Sequence, residues 1–149
     1  MKKSVAIIGG GPAAMMLAAH LNPVKFDTTI YEKNAAFGRK FLVAGQGGFN
    51  LTHSESLTEF SIKYIPVSFM KNVLNQFSNT DLRNYLNKIG VPTYIGTSKR
   101  VFPEEGIKPV EVLNAFLKQL KDNGIKIATN HTWAGFKKRT NCFLKNTDQ

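Results

Sequence analysis

Cysteine is nearly absent from this chain of 149 residues, where Cys142 stands alone. A single thiol excludes an intrachain disulfide and any metal site built from several thiolates, and a reducing cytoplasm is the setting expected for such a chain. Histidine is scarce as well: His20, His53 and His131 are too scattered to read as a metal site, so no metal is expected. No apolar run is long enough to span a bilayer. The one that begins at Val5 is broken by Gly9-Gly10-Gly11-Pro12, which also ends its imitation of a secretory signal behind Lys2-Lys3.

Acidic residues are in deficit, 10 Asp+Glu against 20 Lys+Arg, for a formal net charge of +10. That balance raises the question of nucleic acid. The cations are scattered, however, and Lys137-Lys138-Arg139 is the one tight run; no helix carries a continuous basic stripe. Solvated faces and attraction for anionic cofactors are therefore the expected use of the charge, with nucleic acid and membrane not expected as partners. A basic, non-enzymatic nucleic-acid-binding module stays open as an alternative. The length suits one ordinary domain, and 42% hydrophobic with 20% charged residues is the composition of a folded globular chain.

What is present is concentrated in the first thirty residues. A β-branched apolar run, Val5 to Ile8, stops at Gly9-Gly10-Gly11, and a helix-prone run follows from Pro12-Ala13-Ala14 to Leu21. Strand, glycine turn and helix in this order make a phosphate cradle. In the pattern Gly9-x-Gly11-x-x-Ala14, the first glycine permits the tight turn and the second lets backbone approach a pyrophosphate. The third, small position lets helix and strand pack closely, and the helix directs its N-terminal amides at the diphosphate. A second apolar run, Thr28 to Tyr31, ends at Glu32, roughly 20 residues after the glycines, where an acid accepts ribose hydroxyls and repels a 2′-phosphate. FAD or NAD is expected over NADP.

Beyond Glu32, Lys33 and Gly38-Arg39-Lys40 place cations close to the ribose acid, and Gly45, Gly47 and Gly48 form a second glycine cluster ahead of Asn50. An NAD-only unit has no need of that cluster, whereas the longer FAD does; an NAD-binding Rossmann dehydrogenase fragment remains the second alternative. The segments V-A-I-I-G-G-G-P-A-A, Y-E-K-N-x-x-F-G-R-K, A-G-Q-G-G-F-N-L-T-H and R-V-F-P together resemble the bacterial NAD(P)/FAD-dependent oxidoreductases related to the aminoacetone oxidase family of FAD-binding flavoproteins. The resemblance runs nearly the full length of this chain and covers the family's N-terminal part. It implies that Gly9, Gly10, Gly11, Pro12, Ala13 and Ala14 hold the FAD pyrophosphate and Glu32 the ribose. Lys33, Gly38, Arg39 and Lys40 then lie along the adenosine and phosphates, Gly47, Gly48 and Asn50 near the flavin, and Trp133 beside adenine. Phe49 stands where the wider family often has cysteine, so thiol chemistry is not expected there.

The remainder supplies scaffold. Residues 54–66 are polar and read as a loop; helices are expected from Val67 and over Asp81 to Ile89 with Thr80 as cap, and Gly90 suits the position just past the second helix. Val91 to Val101 reads as extended. Pro109 opens a helix to about Asn123, and Ile125 to Thr129 is expected to lie parallel to the Tyr31 strand. Two further strands, Thr132 to Lys137 and Cys142 to Lys145, begin a β-meander. The expected architecture is α/β, a Rossmann-like FAD-binding doubly wound parallel sheet formed by residues 1–53 and 107–149, truncated, with a mainly helical substrate-side insertion at 54–106. The expected function is the FAD-binding N-terminal segment of a flavin-dependent oxidoreductase, with NAD(P)H as a possible electron donor and little or no activity alone. No catalytic residue is assigned; His53 is the histidine to test for acid/base work.

Overall fold

A computed structural model describes residues 1–43, 49–137 and 141–146. In chain order the elements are β1 (Lys3–Ile8), α1 (Pro12–His20), β2 (Phe26–Tyr31), α2 (Arg39–Val43), β3 (Thr52–His53), α3 (Leu57–Ser61), α4 (Val67–Gln76), α5 (Asn79–Lys88), β4 (Thr93–Ile95), β5 (Arg100–Pro103), α6 (Pro109–Asp122), β6 (Lys126–Ala128), β7 (His131–Lys137) and β8 (Asn141–Asn146). They fall into two compact units, Met1–Val43 with Phe116–Gln149, and Ala44–Ala115.

The first unit is the α/β fold expected of the glycine-rich start. Its sheet has the order β1-β2-β6, all parallel, with Ile7 opposite Ile30 and Ile30 opposite Ile127. Parallel neighbours cannot be joined by a tight turn, and the crossover between β1 and β2 is α1, which packs against both strands. Its buried face is Ala14, Met15 and Ala18, with the small residues one turn apart. Two alanines let the helix approach the sheet closely, while Met15 and Ile30 are fully enclosed. From the end of α6, Asn123 Nδ2 donates to the Ala19 carbonyl at 3.0 Å, fastening that helix to the end of α1. An antiparallel hairpin, β7 with β8, completes the unit, with a bulge between Trp133 and Phe136.

The second unit carries, beside its helices, an antiparallel sheet of order β3-β5-β4. Two local expectations are corrected here. Residues 54–66 are not all loop: Ser56 and Glu59 form a reciprocal capping box that starts α3, a helix of five residues and too short to show apolar periodicity. The cap of α5 is Ser78 rather than Thr80, because Ser78 Oγ accepts from Asp81 N while Asp81 returns the bond to Ser78 N. At the other end of α5, Gly90 takes φ +84°, which turns Val91 N back onto the Leu86 carbonyl at 2.8 Å. The core of this unit includes Leu74, Leu86, Val91 and Val101.

Candidate dinucleotide site

The glycine turn follows directly from the end of β1. Gly9 has φ +97°, a conformation L side chains rarely adopt, and its N–H donates to the Tyr31 carbonyl at 2.7 Å. Gly10 is tightly enclosed: a Cβ there would lie 2.6 Å from two ring carbons of Phe37 and 3.2 Å from Glu32 Oε2. Gly11 differs from both. Its φ is −88°, compatible with any side chain, and a Cβ placed on it would meet none of the described residues within 4 Å. Neither backbone nor packing among the described residues therefore requires glycine at 11, and the bare backbone is left uncovered by them.

Gly11 is also the N-cap of α1, with Pro12 at the first helical position. Proline has no N–H to leave unpaired there and starts the helix with a preset φ. No side chain among the described residues caps this end, and its first turn holds no acid, in contrast to the capping boxes of α3 and α5. The first-turn amides, those of Ala13 and Ala14 included, thus meet no side-chain oxygen among the described residues, and the carboxylate at this end, Glu32, bonds Gly10 N ahead of the helix rather than the first turn itself. An anion at this end would satisfy those amides and the positive end of the helix dipole.

Glu32 sits where β2 ends and reaches back to the turn. Gly10 N donates to its Oε2 at 2.8 Å, and Asn34 donates to Oε1 from both backbone N (2.8 Å) and Nδ2 (2.7 Å). Partial burial pushes the carboxyl upward, but the bonds from Asn34 and Gly10 together with the Lys33 charge outweigh it and hold the pKa below the ordinary value. A carboxylate offers about four lone-pair positions. With one of the three bonds on Oε2, that oxygen keeps room for a hydroxyl donor. The backbone of Glu32 is fixed as well: its N–H donates to Ala128 and its carbonyl accepts from His131 N, both at 2.9 Å.

The structure thus brings Gly9, Gly10, Gly11, Pro12, Ala13, Ala14 and Glu32 to one end of the parallel sheet. Lys33 is exposed beside Glu32; Gly38, buried, precedes α2, whose first residues are the exposed Arg39 and then Lys40. Trp133 lies exposed in β7, its ring 5.7 Å from that of Phe136 in an edge contact. Asn50 belongs to the other unit, and Gly47 and Gly48 lie outside the described residues. Two contributors escaped the sequence reading. Asn34 holds Glu32 in place and was signalled by an amide two residues after the acid; Phe37 closes over Gly10 and had no sequence signal. Among the described residues no cluster of three or more His, Cys, Asp or Glu could hold a metal, and no helix is long and apolar enough to cross a membrane.

Comparison with known proteins bears on this geometry. The family model described as HI0933-like protein Rossmann domain matches residues 3–149. A ribosomal RNA dihydrouridine synthase of Haemophilus influenzae is 27% identical over 104 residues, which are 70% of this chain and 26% of the relative. Among solved structures, the 3-ketosteroid-delta4-(5alpha)-dehydrogenase from Rhodococcus jostii RHA1 superposes with a TM-score of 0.67 at 10% identity, covering 99% of this chain and 43% of that one. THI4 of Thermovibrio ammonificans gives 0.58 at 13% identity, covering 96% and 45%. At such identities the two structures establish the fold. The chain spans about a quarter of the curated relative and under half of either solved chain.

Proposed function

The chain belongs to the HI0933-like protein Rossmann-domain family, a family of FAD-binding flavoproteins, and from that premise we propose that it is the FAD-binding segment of a flavin-dependent oxidoreductase. The observation that carries the reading is Gly11, whose bare backbone neither conformation nor packing among the described residues explains, at a helix whose first turn has no side-chain cap and no acid of its own. A pyrophosphate is the group that explains both. In this reading the amides of Ala13 and Ala14 receive its oxygens, and Glu32 accepts from the adenosine ribose while Gly10 and Asn34 keep the carboxylate ionised and aimed. Lys33, Arg39 and Lys40 offset phosphate charge, Trp133 offers backbone to adenine, and Gly47, Gly48 and Asn50 serve the flavin end. When bound, FAD supplies two-electron chemistry, accepting hydride at its N5, with NAD(P)H as the donor in this proposal. The role assigned to these 149 residues is cofactor binding.

The test is reconstitution. Incubated with FAD and desalted, the protein should retain the visible absorbance of flavin and release it on heating. An NAD-only unit would retain none and would instead bind NAD.

A second reading concerns the substrate. The Haemophilus relative is a ribosomal RNA dihydrouridine synthase, and a net charge of +10 favours approach to a phosphate backbone. RNA as substrate therefore stands beside an unspecified small molecule, although the charge is scattered in sequence. Retention of ribosomal RNA that falls steeply between about 50 and 200 mM salt supports it; no retention at the lower salt removes it.

A further inference from the structure

The second unit contains a cavity of about 390 Å³, within the size range of small-molecule sites. Its walls include Phe60, Tyr64, Leu74, Phe77 and Leu82; beside Asn50, Ser78 and Asn79, the polar wall residues Thr52 and His53 come from β3, and of these His53 is the one with a titratable ring. Phe60 and Tyr64 meet edge to face at 5.5 Å, so the aromatic wall is itself braced.

His53 is held from behind. Its Nδ1 is buried, makes no hydrogen bond among the described residues, and lies 3.4 Å from Glu55 Oε2. Glu55 in turn pairs with Lys63. Asn79, buried at the start of α5, donates from Nδ2 to the carbonyls of both His53 (2.6 Å) and Glu55 (2.9 Å), which fixes the backbone that carries the pair. With Nδ1 turned to Glu55, Nε2 is the ring nitrogen left for a ligand.

The charge pattern narrows the ligand. Among the described residues no Lys, Arg, Asp or Glu forms the walls, so a charged ligand would lose its hydration there with no fixed counter-ion from them. Ser78, also in the wall, has its hydroxyl committed to Asp81. We propose that this cavity is a binding site for an uncharged, planar, ring-bearing molecule that carries one hydroxyl or carbonyl, with the ring against Phe60, Tyr64 and Phe77 and the polar group on His53 Nε2. Glu55 is a positioning residue that orients the imidazole. The site lies wholly within the second unit and does not depend on the FAD reading.

Phenol, toluene and benzoate are suitable probes, titrated without FAD into the 149-residue protein while amide resonances are followed by NMR. Phenol should give saturable shifts at residues 50–53, 60, 64 and 77–79. Toluene should bind about five-fold more weakly, the worth of one hydrogen bond, and benzoate should not saturate at ten times the phenol Kd. His53→Phe should bring phenol to the affinity of toluene and leave toluene unchanged. Should that variant not fold, His53→Ala with the same phenol-to-toluene ratio decides. Shifts that are absent, unsaturable or confined to residues 1–43 overturn the proposal. So does benzoate binding as well as phenol, or a ratio that survives loss of the imidazole.

Discussion

Three adjacent glycines answer to three different constraints, and substitution should separate them. Gly9→Ala forces a Cβ into φ +97° and is expected to cost about 1–3 kcal/mol in urea unfolding. Gly10→Ala sets a methyl against the Phe37 ring; because that ring is partly exposed and can yield, the cost should sit near the lower end of about 1–3 kcal/mol. Gly11→Val meets no described residue within reach, so its cost should be only that of losing glycine at the N-cap of α1, about 0.5–1.5 kcal/mol. Glu32 adds a pH signature. Its folded pKa is lowered from the ordinary 4.5, so its contribution to stability is complete above that value and is lost as pH falls through the lowered one. Glu32→Gln should therefore be less stable than the parent at pH 7, and the gap should close on acidification, as urea midpoints across the acid range would show. A gap that widens toward low pH would mean that the carboxyl is not held ionised by Gly10 and Asn34.

Helix starts were the least legible elements, and for a physical reason. Apolar spacing locates a helix once it runs two or three turns, as in α5 and α6, yet it does not choose between neighbouring Ser78 and Thr80 as the cap. The choice falls to Asp81, three residues after Ser78, whose carboxylate bonds the Ser78 backbone and sidesteps Thr80. In α3 the same box, Ser56 with Glu59, builds a helix that periodicity cannot reveal. Ser78→Ala should cost about 1 kcal/mol, and Asp81→Asn should recover part of what Asp81→Ala loses, both by thermal unfolding. Asn79→Ala should cost more, about 1–3 kcal/mol, because two carbonyls lose their donor inside the fold. The glycine turn and the β2 acid were legible in full, since each is a contiguous signal with one steric solution. Phe37 over Gly10 was not, because such a contact depends on the path of residues 33–38 rather than on any pattern within them.

At the scale of the molecule, the parallel sheet β1-β2-β6 places the turn, the start of α1 and Glu32 together, and the β7–β8 hairpin follows on directly from the strand beside them. The family and the fold agree with that arrangement, whereas the substrate was not written in the sequence, for the cations are spread along the chain and no catalytic cluster stands out. The central claim is that an anionic dinucleotide occupies the space Gly11 leaves open. FAD titrated into the parent protein and into Gly11→Val, followed by quenching of flavin fluorescence, tests it most directly. The account predicts saturable binding to the parent and at least about ten-fold weaker binding to the variant, about 1.4 kcal/mol, with the variant still unfolding cooperatively and losing no more stability than the N-cap change costs. Equal affinity for the two proteins, or no FAD binding by a parent protein that is folded, would contradict it.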